Sequence, residues 1–196
     1  MFLGMCPVRI SFSGGGTDMP EYYNEFGGNV VTSTIDRFTY VILNLRNDDL
    51  IQAFSSDFQI HNPSATLEKL ESNPGMEIPI ASLKHLNFKS GATVMVCSDV
   101  PPSSGLGGSS SLTVNFVKIL STLQKLKWNS EKIAETSFHI ERNVLQHPIG
   151  KQDDYISSFG GFNFIRFTNE QVYVEPIKIN KSAFDELQEN LHLFFI

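Results

Sequence analysis

The chain has 196 residues, of which 41% are hydrophobic and 18% charged, a composition typical of a globular protein with one main core. The formal net charge is −6 and Lys and Arg are scattered singly, which argues against a nucleic-acid partner, because such proteins carry a basic patch or stripe. Cys6 and Cys97 form no zinc-ligand spacing and no apolar run is long enough to span a membrane, so we expect a cytoplasmic protein without a membrane partner.

The first half of the chain predicts a sheet interrupted by one short helix. A strand over residues 8–13 ends at three glycines, after which Thr17 and Asp18 are predicted to cap a helix that has Pro20 in its first turn. A turn signal at residues 47–49 predicts that the strand 51–54 pairs back on the strand before it. The other strands are predicted at residues 29–35, 40–46 and 92–98.

The second half predicts mainly helices, followed by two strands. Three prolines break the segment 61–90, where one helix near residues 80–86 is predicted. Asn129 or Ser130 is expected to cap the second long helix. Further helices are predicted at residues 109–126, 152–159 and 183–190, and strands at 162–167, 172–179 and from 191 onward. Runs of strands and runs of helices in this order favour an α+β fold over a doubly wound sheet.

The segment Asp99-Val-Pro-Pro-Ser-Ser-Gly-Leu-Gly-Gly-Ser-Ser-Ser111 carries the strongest functional signal, because it joins a strand to an amphipathic helix. Its glycines allow the backbone to approach an anion, and the free N–H groups and dipole of a helix start favour phosphate. A Walker A motif is excluded because Gly150-Lys151 is followed by Gln152, and a dinucleotide fingerprint would need glycine where Ser110 stands. The alternative is a flexible connection without function.

Three further side chains are candidates for phosphate chemistry. Glu141 falls on the apolar face of its helix, where a carboxylate needs a cation; Mg²⁺ would supply it, and a salt bridge to Arg142 or a lysine is the alternative. Asp153 and Asp154 lie at a loop-to-helix junction, where they either cap the helix or orient an acceptor hydroxyl. Arg9 precedes the glycine triplet and could neutralise charge or form an ordinary ion pair.

Three motifs together resemble a known family. Pro102-Ser-Ser-Gly-Leu-Gly-Gly-Ser-Ser-Ser111 resembles the phosphate loop of the GHMP kinases, Arg9-Ile-Ser-Phe-Ser-Gly-Gly-Gly-Thr-Asp18 their first motif, and Gly150-Lys-Gln-Asp-Asp154 the segment with their catalytic aspartate. The motifs occur in the family's order. Within the family the chain is most similar to kinases that phosphorylate the anomeric hydroxyl of a heptose 7-phosphate to the 1,7-bisphosphate.

The resemblance implies ATP and Mg²⁺ as cofactors and a sugar phosphate as the acceptor. Asp153 would accept or orient the proton of the sugar hydroxyl, Arg9 would hold Asp153, and Ser109 with Glu141 would hold Mg²⁺. The implied ATP-binding residues are Pro102, Ser103, Ser104, Gly105, Leu106, Gly107, Gly108, Ser109 and Ser110. The implied acceptor-binding residues are Gly15, Gly16, Thr17, Asp18 and Gln152. Phosphoryl transfer further requires that the loop around Leu106 and Asp153 share one cleft.

Two departures from the family leave alternatives open. Asp154 stands where related sequences often have Gln, so either aspartate could be the base. The chain is also shorter than members of the family, which implies an N-terminal ATP-binding domain over residues 1–180 and the start of a second domain over 181–196. A nucleotide-binding module without catalysis, a fucokinase-like or galactokinase-like acceptor specificity, and a homo-oligomer all stay open.

Overall fold

A computed structural model describes residues 1–71 and 73–194, with the backbone alone for residues 60–63. Seven strands in this part of the chain form one sheet. They are β1 (Phe2–Ser13), β2 (Gly28–Leu45), β3 (Leu50–Ser55), β4 (Ile60–Thr66), β5 (Ala92–Ser98), β6 (Phe162–Phe167) and β7 (Val172–Pro176). The helices are α1 (Pro20–Phe26), α2 (Glu77–His85), α3 (Gly108–Leu123), α4 (Ser130–His139), α5 (Gln152–Phe159) and α6 (Lys181–Glu189). A π-helical turn, Ile140–Val144, continues α4. The predicted α+β class is confirmed.

The long strand β2 organises the sheet. Thr39 pairs with Cys6 of β1 and also with Ser98 of β5, so these two strands lie on opposite edges of β2. The other end of β2 pairs antiparallel with β6. The predicted strands 29–35 and 40–46 are therefore two halves of one continuous strand.

The predicted hairpin between β2 and β3 is wrong. Ala92 of β5 pairs with Leu45 of β2 and with Ile51 of β3, so β5 lies between them and runs parallel to β3. The antiparallel partner of β3 is β4, a strand that the sequence did not predict. Local turn signals could not show that a strand about forty residues further along the chain would insert here.

The start of α1 also differs from the prediction. Met19 occupies the N-cap position and supplies no side-chain hydrogen bond, whereas Thr17 donates to the carbonyl of Gly14 and Asp18 accepts from the amide of Gly16. The predicted cap of α4 is confirmed, because the side chain of Asn129 accepts a hydrogen bond from the amide of Lys132 at 2.9 Å.

The main core lies between the sheet and the helices α2 and α3. Val41, Leu43 and Val94 of the sheet are fully buried there, as are Phe116 and Leu120 of α3. A smaller cluster under α5 contains Tyr155, Ile156 and Phe167. These two cores fix the N-terminal ends of α3 and α5 near the same end of β1.

The C-terminal helix α6 has no buried residue. Residues 191–194, where a strand was predicted to begin, form no regular structure, and residues 195–196 lie outside the described residues. The division into domains at residue 180 stays a prediction. Within the described ranges, no helix combines the length and the apolar character needed to cross a bilayer.

Candidate active site

The bidentate pair between Arg9 and Asp153 joins β1 to the N-terminus of α5. Nε and Nη2 of Arg9 each donate to one carboxylate oxygen of Asp153 at 2.6 Å. Both side chains are largely buried, with 12% and 21% of their surfaces exposed. A planar guanidinium facing a carboxylate in this way fixes direction as well as charge. The predicted contact of Arg9 with Asp153 is present in the structure.

The glycine-serine loop is bound to the same arginine. The amide of Arg9 donates to the carbonyl of Leu106 at 2.9 Å, and its Nη1 donates to the carbonyl of Gly105 at 2.5 Å. Leu106 itself is buried beside Val8 and Val100. The loop and Asp153 therefore meet at Arg9, as phosphoryl transfer requires.

Gly107 is the residue where the loop and the aspartate come closest. Its φ is +73°, in the left-handed region, and it immediately precedes α3. A Cβ atom at this position would lie 3.0 Å from Oδ2 of Asp153. Glycine thus satisfies two demands at once, the backbone conformation and the close approach of the carboxylate.

Ser109 and Glu141 are in contact, as predicted for a shared metal site. The hydroxyl of Ser109 donates a short hydrogen bond to Oε2 of Glu141, whose side chain is fully buried. Oε1 of Glu141 is buried and has no hydrogen-bond partner among the described residues. Arg142, the alternative partner for Glu141, instead pairs with Glu21.

These donors fit a Mg²⁺ ion bound together with phosphate. In the described part of the chain, no three His, Cys, Asp or Glu side chains come together as a metal site. Mg²⁺ in kinase sites usually keeps several waters and takes only one or two protein ligands besides the phosphates. A hydroxyl and a buried carboxylate with a free oxygen meet that smaller requirement.

The two adjacent aspartates differ in access to the site. Asp153 lines the cleft next to the loop, whereas Asp154 is fully buried and neither of its oxygens has a hydrogen-bond partner within the described ranges. Burial raises the pKa of Asp153 above its ordinary value, and Arg9 opposes that shift. Burial raises the pKa of Asp154 much further, helped by the charges of Glu141 and Asp153. Geometry therefore favours Asp153 as the group that meets a substrate.

The predicted acceptor-binding residues lie beside Asp153 but outside the cleft. Asp18 is 3% exposed, and its carboxylate accepts hydrogen bonds from the amides of Gly16 at 3.0 Å and Gln152 at 3.1 Å. Thr17 also bonds to backbone, at Gly14 and Asn29. Gly15 is exposed, and a Cβ there would lie 3.8 Å from Nε2 of Gln152. Asp18 thus joins the first glycine motif to the start of α5.

A cleft of about 530 Å³ opens in front of the loop. Arg9, Asp153, Ser109 and the loop backbone contribute polar groups to its lining, and the rest of the lining is largely apolar. The loop residues that line it are Pro101, Pro102, Ser103, Ser104, Gly105, Gly107 and Gly108. The side chains of Leu106 and Ser110 point into the protein, so these two residues offer the cleft at most backbone groups.

The sequence analysis missed the apolar wall and one histidine. Phe58, Pro74, Ile78 and Val96 form part of the wall, and most of them come from or near the proline-broken segment that gave no clear pattern. His147 lines the cleft with Nδ1 3.8 Å from Oε2 of Glu141, and this carboxylate raises the pKa of the imidazole. A single histidine without a motif gave no signal in the sequence.

Replacing Gly107 by Ala is expected to lower stability, and the affinity of the loop for a phosphate ligand, more than replacing Gly105 by Ala. Both positions have positive φ, +73° and +74°, but only at Gly107 would the new Cβ crowd Asp153. The backbone strain, about 1 kcal/mol, should be shared by both variants. Denaturant unfolding and calorimetric titration with ATP on both variants measure the difference. Equal effects would contradict a close approach at Gly107.

Replacing Asp154 by Asn is expected to raise the free energy of unfolding by an amount that grows with pH. The folded-state pKa of Asp154 lies well above its ordinary value of 3.8. As pH rises above that value the unfolded chain loses its proton first, so stability falls by about 1.4 kcal/mol per pH unit until the folded pKa is passed. Unfolding of both proteins across the acidic and neutral range tests this, and a pH-independent difference would contradict it.

Comparison with known proteins agrees with the geometry. Residues 76–161 match the family described as GHMP kinases N terminal domain. A D-glycero-alpha-D-manno-heptose 7-phosphate kinase of Campylobacter jejuni is 33% identical over 96% of this chain and 58% of its own length. The chain therefore spans little more than half of that relative.

Solved structures show the same relationship. A D-glycero-D-manno-heptose 1-phosphate kinase from Bacteroides thetaiotaomicron superposes with a TM-score of 0.87 at 27% identity, covering 94% of this chain and 62% of that one. A putative sugar kinase from Campylobacter jejuni gives a TM-score of 0.80 at 32% identity, over 95% of this chain and 58% of that one. The chain therefore matches the N-terminal domain of the GHMP kinases, by sequence over residues 76–161 and by fold over most of its length.

Proposed function

We propose that this chain provides the ATP-binding and catalytic half of a sugar kinase that transfers the γ-phosphate of ATP to a sugar hydroxyl. The observation that carries the proposal is the meeting of the glycine-serine loop with Asp153 through Arg9, in one cleft. Phosphoryl transfer depends mainly on positioning and on neutralising charge, and these residues supply both. A cytoplasmic location, where ATP is available, belongs to the same proposal.

The loop is proposed to hold the triphosphate, and the nucleoside is proposed to lie against the apolar wall of the cleft. Gly108 and Ser109, the first residues of α3, line the cleft, and the unpaired amides and positive dipole end of a helix start favour phosphate. Ser109 and Glu141 would hold Mg²⁺, which when bound screens the phosphate charges and orients the γ-phosphate. Phe58 offers an aromatic ring and Ile78 an aliphatic side chain, and both could contact a base.

Asp153 is proposed as the group that receives or orients the proton of the acceptor hydroxyl. Its pKa is raised by burial, which makes its carboxylate a better proton acceptor than an ordinary aspartate. Arg9 holds both oxygens in a fixed direction and supplies one positive charge beside the reacting phosphate. Gly15, Gly16, Thr17, Asp18 and Gln152 are proposed to form the acceptor side, through exposed backbone at the glycines and the side-chain amide of Gln152, which lies near Gly15.

The finer proposal is that the acceptor is a heptose 7-phosphate and that the product is its 1,7-bisphosphate. It is supported by the Campylobacter relative, which is described as a heptose 7-phosphate kinase. The Bacteroides structure is described as a heptose 1-phosphate kinase. The shared element of the two descriptions is a heptose that bears phosphate.

Replacing Asp153 by Asn is expected to lower turnover by about 10² to 10⁴-fold while ATP binding survives, because only proton transfer and acceptor orientation are lost. Coupled ADP-release kinetics and calorimetric ATP titration measure the two effects. Asp154→Asn is the matched control, one residue along the same helix and away from the cleft. If Asp154→Asn loses turnover while Asp153→Asn retains it, the base is Asp154 instead.

A substrate panel tests the acceptor. Heptose 7-phosphate is expected to give faster ADP release than heptose, fucose or galactose, and the product should carry phosphate at the anomeric carbon by ³¹P NMR. Equal or faster turnover with an unphosphorylated sugar would contradict the finer proposal and leave the kinase proposal intact. ATP binding without turnover on any sugar would favour a nucleotide-binding module.

A further inference from the structure

We propose that Lys151 is a positioning residue. It anchors the first turn of α5 in a cage of aromatic rings and thereby fixes the position of the Asp153 side chain. The kinetic consequence rests on the proposed function, whereas the structural consequence can be measured without it. Lys151 does not line the cleft and no motif assignment above gives it a role.

The ammonium group of Lys151 is enclosed on several sides. Its Nζ lies 5.3 Å from the ring centre of Phe138, 5.8 Å from that of Tyr23 and 6.0 Å from that of Tyr155. It donates to Oε1 of Glu135 at 2.5 Å, and only 14% of the side chain is exposed. A cation over several ring faces is attracted to each, and the attraction strengthens as water is excluded.

The side chains around the ammonium group of Lys151 come from three helices. Tyr23 belongs to α1, Phe138 and Glu135 to α4, and Tyr155 to α5. The hydroxyl of Tyr155 donates a short hydrogen bond to the same oxygen of Glu135 that accepts from Lys151. Lys151 is thus held from α1 and α4 at the point where α5 begins.

The main chain of Lys151 is fixed from the opposite direction. Its amide donates to the carbonyl of Asp18 at 3.1 Å, and the next amide, that of Gln152, donates to the carboxylate of Asp18. Its carbonyl accepts the amide of Tyr155, which is the first turn of α5. Backbone and side chain together leave residues 151 and 152 little freedom to move.

Asp153 follows directly and has little room for displacement. Its carboxylate makes two bonds of 2.6 Å to Arg9 and lies against the backbone of Gly107. A shift of the first turn of α5 would either lengthen these hydrogen bonds or cause a steric clash between the carboxylate and the loop. Reacting groups tolerate only small misplacement, and about 1 Å can cost 10²-fold in rate.

The charge of Lys151 is not needed for α5 to pack. Tyr155 and Ile156 of α5 are also buried in an apolar cluster with Val30, Ile165 and Phe167, and burial against these aliphatic and aromatic groups does not require the ammonium. Lys151→Met, which keeps the length of the side chain and its contact with the rings, is therefore expected to fold. Lys151→Arg keeps the charge, and Glu135→Gln removes the ion pair while leaving all three rings.

The matched control is Lys132→Met. Lys132 lies in the first turn of α4, and its Nζ is likewise over an aromatic ring, 5.6 Å from the centre of Trp128. It makes the same kind of contact at the other end of α4 and has no link to Asp18 or α5. The substitution thus removes one cation and one ring contact without touching the first turn of α5.

The first measurement is the ¹⁵N–¹H signal of the Arg9 Nε–H group in the 196-residue chain, assigned by its loss in Arg9→Lys. The bidentate pair should protect this proton and shift its resonance. Lys151→Met and Glu135→Gln are expected to broaden the signal or move it toward that of a free arginine, whereas Lys151→Arg and Lys132→Met leave it in place. An unchanged signal in both Lys151→Met and Glu135→Gln would overturn the proposal.

The second measurement separates positioning from general destabilisation. In Lys151→Met, kcat is expected to fall by about 10 to 100-fold with ATP affinity unchanged, and Lys151→Arg is expected to restore most of it. Parallel loss of ATP affinity, thermal stability and kcat would show a merely structural role and overturn the proposal. If Lys151→Met does not fold, Glu135→Gln decides by the same criteria. If the wild-type chain shows no turnover, the kinase proposal fails. The Arg9 signal then still tests the positioning role of Lys151, because it is measured without catalysis.

Discussion

The ion pair between Arg9 and Asp153 is the contact on which the site depends. It connects the first strand with the glycine-serine loop and with the helix α5, which lie 96 and 144 residues further along the chain. A guanidinium in a largely buried position is favourable only when its donors are satisfied. Here two donors face Asp153 and one faces the carbonyl of Gly105, so the geometry of the loop and the direction of the carboxylate are set together.

Charge around this pair is concentrated and incompletely balanced. Burial raises the pKa of both Asp153 and Asp154, and the charge of Glu141 adds to the rise in each. Arg9 is bound to one of the three, and Oε1 of Glu141 has no partner within the described ranges. Under the proposed function, Mg²⁺ bound together with nucleotide phosphates would place a cation beside the buried carboxylate and offset this crowding of negative charge.

The surroundings of the pair are built from rigid contacts rather than from flexible loops. Asp18 holds the glycine motif and the start of α5 through backbone amides, and Lys151 holds that start from α1 and α4. Gly107 allows the loop to lie directly against Asp153. Such second-layer contacts restrict the reacting groups before any substrate binds, which is how enzymes gain rate from position.

The sequence by itself determined the strand-to-helix loop and most helices and strands, since glycine spacing, capping residues and helical periodicity act over a few residues. The pairing of Arg9 with Asp153 and of Ser109 with Glu141 was implied by motifs that resemble a known family, and not by any local pattern. Only the tertiary structure decided the insertion of β5 between β2 and β3, the use of Asp18 as a backbone acceptor, the seclusion of Asp154 and the apolar wall at Phe58. Each of these depends on segments far apart in the chain, and neither hydrophobic period nor turn chemistry specifies which distant partner a strand or a buried carboxylate will meet.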